Sequence, residues 1–199
     1  MTALRAVRYA AWAAVLLACA VVGYFALVPR DGGGAIDIAS IGGPFTLTDQ
    51  NGQTVTDASL KGHPSAIFFG YTFCPDVCPT TLFEVTDWLG KLGPDADRLK
   101  VYFVSVDPER DTQEKLADYL KAFDPRITGL TGTPEAVDGI AKAYRVFYRK
   151  VPIDGGGYLM DHTASIYLLN GDGTFTGTIA YEENEDAALA KLRRLVGTS

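Results

Sequence analysis

Two continuous apolar runs with a helical stretch between them constrain this chain more than anything else in it. Ser65–Tyr71 (SAIFFGY) and Leu99–Val106 (LKVYFVSV) are too short for helices and scarcely alternate, so they read as strands buried on both faces. Across Pro79–Leu92 the residues Leu82, Val85, Leu89 and Leu92 recur at helical spacing and form one apolar stripe. Parallel strands need a crossover, and doubly buried strands need cover on each face, so these three pieces form a β-α-β unit with a right-handed connection. Purely helical and purely antiparallel architectures are excluded, which leaves the α/β class.

The pattern continues on either side of this unit. Phe45–Thr48 and Thr54–Thr56 alternate around Asn51-Gly52, a dipeptide whose residues accept the positive φ of a tight hairpin turn. Helices are expected over Thr112–Phe123 and Pro134–Tyr144, with a short strand, Ile127–Leu130, between them; Pro134 suits a first helical turn. Val146–Val151 and Tyr158–Met160 form a projecting hairpin around Pro152–Gly157. Ser165–Leu169 and Phe175–Tyr181 form another around Asn170–Gly173, and Glu185–Val196 closes the chain as an amphipathic helix.

The first thirty residues obey different rules. Tyr9–Val28 carries no charge over twenty residues, enough for a helix to cross a hydrocarbon core of about 30 Å. Arg5 and Arg8 precede this run, so the positive-inside rule leaves the amino terminus in the cytoplasm and exports everything that follows. The expectation is a single-pass anchor in the inner (cytoplasmic) membrane over residues 1–30, a flexible tether over 31–40 and a periplasmic domain over 41–199. A cleavable signal peptide, or a lipoprotein acylated at Cys19 after Leu16-Leu17-Ala18, are the competing readings, and both also export the domain.

Charge narrows the partners. The chain has 18 basic and 24 acidic residues, and all the acidic ones lie from Asp31 onward, so the exported part is more acidic than the overall net charge of −6. Nucleic acid is excluded, because phosphate binding demands a basic face.

Beyond the membrane segment only Cys74 and Cys78 remain as cysteines, four residues apart where a buried strand gives way to a helix. Free N–H groups and the positive end of the helix dipole favour a thiolate there, the form that binds metals and attacks disulfides. At this spacing the Cα atoms lie about 6 Å apart, close enough to share a metal ion or to close a disulfide. A stapling disulfide is the plainer alternative, but so short a loop restrains the unfolded chain little. Of the two histidines, His63 reads as an exposed loop residue, and His162, just before a strand beginning at Thr163, is a candidate ligand. A lone histidine is more often a surface residue than a ligand, so the residues alone leave both readings of His162 open.

The run Phe69-Gly70-Tyr71-Thr72-Phe73-Cys74-Pro75-Asp76-Val77-Cys78-Pro79, followed by Val104-Ser105-Val106-Asp107-Pro108-Glu109-Arg110-Asp111 and by Asp161-His162-Thr163, resembles the Sco/SenC family of cytochrome c oxidase copper-assembly proteins. The resemblance extends from about residue 40 to 196 and implies a thioredoxin-like fold with an extra N-terminal β-hairpin. It further implies a copper site made by Cys74, Cys78 and His162, holding Cu(I), Cu(II) or both. The implied role is a copper chaperone for the dicopper site of cytochrome c oxidase subunit II, loaded by another periplasmic copper carrier. The alternative is a thiol-disulfide oxidoreductase in which Cys74 and Cys78 are the redox-active thiols that keep the subunit II copper-ligand cysteines reduced. Asp107 and Asp161 are candidates for orienting the site, or else plain loop and capping residues. A weaker possibility, a peroxidase, would need an arginine beside Cys74, for which Arg110 and Arg145 are both available.

Overall fold

Why the two apolar runs are strands is plain from their surroundings. In the computed structural model, which describes residues 2–27 and 41–197, they lie side by side as β3 (Ser65–Gly70) and β4 (Lys100–Ser105), parallel and in register from Ser65 opposite Lys100 to Gly70 opposite Ser105. Every residue of β3 is buried, as is every residue of β4 after Lys100. The helix between them, α2 (Val77–Leu92), turns Leu82, Val85, Trp88, Leu89 and Leu92 into the core.

Two further strands precede this unit, β1 (Thr46–Asp49) and β2 (Thr54–Thr56), and α3 (Gln113–Leu120), β5 (Ile127–Thr131) and α4 (Pro134–Ala143) follow it. The chain then forms β6 (Tyr148–Pro152), β7 (Tyr158–His162), β8 (Ile166–Leu169), β9 (Phe175–Ile179) and α5 (Glu185–Gly197). Seven strands make one mixed sheet in the order β2-β1-β5-β4-β3-β8-β9, and β6 and β7 make a small antiparallel sheet of their own. The extra N-terminal hairpin joins the main sheet through β1, which pairs antiparallel with β5. Its turn is closed by Asp49, whose carboxylate accepts from the N–H groups of Asn51 and Gln53, with Gly52 at φ 83°. Thr112 and Thr133 cap α3 and α4 by accepting from Lys115 and Ala136, which satisfies N–H groups that a helix start leaves free.

The open edges of the main sheet are short or irregular. β2 has three residues, and β9 meets β8 through a register shift between Leu168 and Leu169, with Gly177 at φ 154°.

Several boundaries differ from the sequence reading, those of α2, β6, β7 and β8 among them. Helix α2 begins at Val77 rather than Pro79; the missing N–H of proline costs nothing inside a first helical turn, where no intrahelical partner exists. β7 runs on to His162, which pairs with Tyr148, and β8 starts only at Ile166, so His162 ends one strand instead of preceding the next. β6 starts at Tyr148 rather than Val146.

The N-terminal helix, α1 (Thr2–Leu27), is a separate unit. Its stretch Arg5–Tyr24 is long and apolar enough to cross a membrane, and Cys19 lies on it as a free, exposed thiol. The tether expected over 31–40 lies outside the described residues.

Candidate metal centre

Strand β3 delivers the chain to the site in a fixed direction. After Gly70, Tyr71 is buried, and the loop 72–76 is tied to the neighbouring strand by Asp111. The Asp111 carboxylate accepts from Thr72 N–H at 3.0 Å, from Thr72 Oγ1 at 2.6 Å and from Ser105 Oγ at 2.6 Å. Burial raises its pKa above the usual carboxylate range, although these three bonds act in the opposite direction. A buried acid with every oxygen engaged is an anchor for the start of the cysteine loop.

Cys74 sits in that loop, half-buried, and Cys78 sits one turn later inside α2, fully buried. The Cys78 N–H points back at Cys74 Sγ from 3.4 Å, so one of the free donors of the helix start is aimed at a sulfur. The Cys78 sulfur in turn rests on the backbone of β3. A Cβ built on Gly70 would stand 2.7 Å from Cys78 Sγ and 2.6 Å from the Phe103 ring, so only glycine leaves room for the sulfur.

The histidine comes from the other sheet. His162, at the end of β7, places Nε2 3.4 Å from Cys78 Sγ, while Nδ1 lies 3.0 Å from the Thr163 carbonyl oxygen. With Nδ1 turned to that carbonyl, Nε2 is the nitrogen that faces the sulfurs. The ring is held edge-on against Tyr71 (centroids 5.8 Å apart) and Phe68 (6.2 Å). One donor atom from each of Cys74, Cys78 and His162 lies within 4.8 Å of the other two. Residues more than eighty positions apart in the chain thus converge on a pocket with one buried wall and two half-exposed donors.

The two sulfurs do not share a proton equally. Cys74 is held far below the ordinary thiol range, at about 3, first by the hydrogen bond from the Cys78 thiol and then, against the cost of burial, by His162 and backbone N–H groups. Cys78 is pushed upward by that same hydrogen bond and by its burial. The pair gives up its first proton easily and its second reluctantly, as two closely coupled acids do. A cation bridging both sulfurs replaces the shared proton and removes that reluctance.

Neither aspartate considered for an orienting role touches the imidazole. Asp161 is exposed and pairs with Arg149, and Asp107 is buried and accepts from Tyr158 Oη and from Arg110 Nε. The backbone carbonyl of Thr163 does the orienting instead. His63 is exposed, as expected. Sequence reasoning missed Gly70, Asp111 and Tyr71. For Gly70 the signal was available, since a lone glycine within an apolar strand marks a close approach.

The mixed sheet, the cysteines at the strand-to-helix junction and the imidazole brought from a distant hairpin define a thioredoxin-like domain with a three-donor pocket able to hold a metal ion. The chain belongs to the SCO1/SenC family, whose model matches residues 34–197. It is 46% identical over 139 residues to the human mitochondrial protein SCO1 homolog, an alignment covering 68% of this chain and 46% of that protein. The chain spans about half the length of the curated relatives it matches. Among solved structures, copper-bound ScoI from Bradyrhizobium japonicum is similar at 52% identity and a TM-score of 0.73, covering 78% of this chain and 99% of that one. BsSco, described as a cytochrome c oxidase assembly protein with a disulfide switch, is similar at 26% identity and a TM-score of 0.62, covering 79% of this chain and 94% of its own.

Proposed function

We propose that this protein is a membrane-anchored copper chaperone that delivers copper to the dicopper site of cytochrome c oxidase subunit II. The observation that carries this reading is the convergence of Cys74, Cys78 and His162 within 4.8 Å. Two sulfurs suit Cu(I) and an imidazole suits either oxidation state, while three protein donors leave a coordination position free for a ligand of the recipient. Transfer is then a ligand exchange. The recipient's donors enter at the half-exposed side, and the buried Cys78 sulfur is the last to release the ion. The copper-bound ScoI of Bradyrhizobium japonicum supports copper over zinc as the cargo.

Helix α1 anchors the chain once in the inner membrane, with residues 31–40 as the tether and the domain from residue 41 in the periplasm, where a further copper carrier loads it. The support is the length of the apolar helix and the position of Arg5 and Arg8 ahead of it.

The test is copper analysis and visible absorption of the purified full chain in detergent. One equivalent of copper is expected, with a thiolate-to-Cu(II) charge-transfer band lost on replacement of Cys74, Cys78 or His162. A chain that takes up zinc but not copper, or an unchanged band in His162→Ala, overturns the assignment.

A second reading is favoured by one observation, the unequal proton affinity of the two cysteines. An ionised Cys74 is a ready nucleophile toward a disulfide, and Cys78 is placed to resolve the mixed disulfide. Two electrons and the Cys78 proton would pass to a disulfide of the subunit II copper ligands, the second proton coming from solvent, leaving Cys74–Cys78 oxidised. His162→Ala keeps this activity and loses the first.

A further inference from the structure

His162 sits on a hairpin that is not part of the main sheet, so something must fix that hairpin relative to the cysteine loop. Arg110 touches both. Its guanidinium carbon lies 3.8 Å from the centre of the Tyr158 ring, at the start of β7, and 4.7 Å from that of Phe73, the neighbour of Cys74. Nη1 donates to the Tyr158 carbonyl at 3.0 Å, and Nε donates to Asp107. Tyr158 Oη donates to the other oxygen of the same Asp107 carboxylate at 2.8 Å, closing a ring of contacts between the hairpin and the end of β4. Lys150, on β6, pairs with Glu109 at 2.6 Å and lies 4.7 Å from the Tyr158 ring, adding a second tie at the same place. Tyr71 stands between this cluster and the ligand: its ring centre is 5.8 Å from the Arg110 guanidinium and 5.8 Å from the centre of the His162 ring.

We infer that Arg110 is a positioning residue: it clamps the β6–β7 hairpin onto the cysteine loop and thereby holds the His162 imidazole within reach of the two sulfurs. This role rests on the metal-site reading of Cys74, Cys78 and His162. Its chemistry is that of a planar cation filed between two aromatic faces with its edge donors fixed, which a lysine cannot reproduce. One donor, Nη2, is buried and finds no partner among the described residues, a cost that a residue kept only for stability would avoid. Freed of the clamp, the hairpin retains its own hydrogen bonds but loses its fixed distance from Cys78. Cu(I), satisfied by two thiolates, is then held nearly as before, and Cu(II), which relies on the imidazole, is not.

Two measurements on the full chain in detergent test this. In the first, amide hydrogen exchange of the metal-free protein is compared for the natural chain, Arg110→Lys and Arg110→Ala. Exchange in residues 148–162 is expected to quicken about tenfold or more, as local opening free energies permit, while β3, β4 and α2 keep their rates. Unchanged hairpin rates in Arg110→Lys overturn the clamp, and this variant decides the matter alone if Arg110→Ala does not fold. In the second, Cu(II) and Cu(I) affinities are measured for Arg110→Lys, His162→Ala and the double variant. Cu(II) affinity is expected to fall about 10- to 100-fold in Arg110→Lys, the usual cost of losing a residue behind a metal ligand. The double variant should be no weaker than His162→Ala alone, and fully additive losses would refute positioning through His162. The exchange measurement needs no copper, so failure of the chaperone reading leaves the clamp separately testable.

Discussion

The strand that leads into the cysteines and the hairpin that carries the histidine are built on opposite terms. β3 is buried along its whole length, and the Cys78 sulfur is wedged against Gly70 and Phe103. In β6 and β7, Met160 alone is buried, and their other residues are half-buried or exposed. Cys78 is therefore placed by packing, which tolerates little displacement, Cys74 by a loop tied down through Asp111, and His162 by a handful of polar and cation–aromatic contacts. Such a division suits a site that must hold an ion and also let it go. The rigid part keeps its geometry whether or not the ion is present, and the looser part can move without unfolding anything.

The harshest way to break this contrast is on the rigid side. Replacing Cys78 or Cys74 by serine removes a soft thiolate, and Cu(I) affinity should fall by more than the roughly 100-fold that outer contacts cost, read by competition with a chromophoric chelator. Gly70→Ala follows. A methyl group 2.7 Å from the sulfur and 2.6 Å from an aromatic ring has nowhere to go, and overpacking of this kind costs about 1–3 kcal/mol in chemical denaturation while displacing Cys78 from the site. On the looser side, His162→Ala should lower Cu(II) affinity by at least the roughly 100-fold that outer contacts cost, while leaving Cu(I) binding and thermal stability nearly intact, since the hairpin keeps its backbone pairing.

Acidity offers a subtler probe of the same contrast. Because Cys74 is held far below the thiol range, lowering the pH from 8 toward 5 leaves it ionised, and its alkylation rate should stay almost flat where an ordinary cysteine slows about tenfold per pH unit. A Cys74 rate that tracked pH like a free thiol would show that the buried partner does not donate to it. The smallest effect belongs to the hairpin surface. Arg149 and Asp161 pair at 2.8 Å but both are well exposed, so Arg149→Ala should change stability by less than about 1 kcal/mol and leave the copper band unmoved.

How much of this was legible in the sequence follows the same division. The β-α-β unit, the N-terminal hairpin and the closing helix declared themselves because burial imposes a period on the residues that share it. The cysteine pair declared itself through its place between a strand and a helix. The convergence of His162 with that pair could not be read locally: nothing near Asp161-His162-Thr163 specifies an approach to a loop more than eighty residues earlier, and only the resemblance to the family pointed there. The contacts that position the site were less legible still. Arg110 and Asp107 are neighbours in sequence and look like a helix-start ion pair, whereas their partners, Tyr158 and Phe73, come from segments that tertiary folding alone brings together.

The margins of the main sheet bear on how such a molecule meets others. A three-residue β2 at one side and, at the other, a β9 interrupted by the Leu168/Leu169 shift and by Gly177 give an incoming strand little continuous backbone to pair with. The main sheet therefore offers copies of this chain no ready means of zipping together into fibrils.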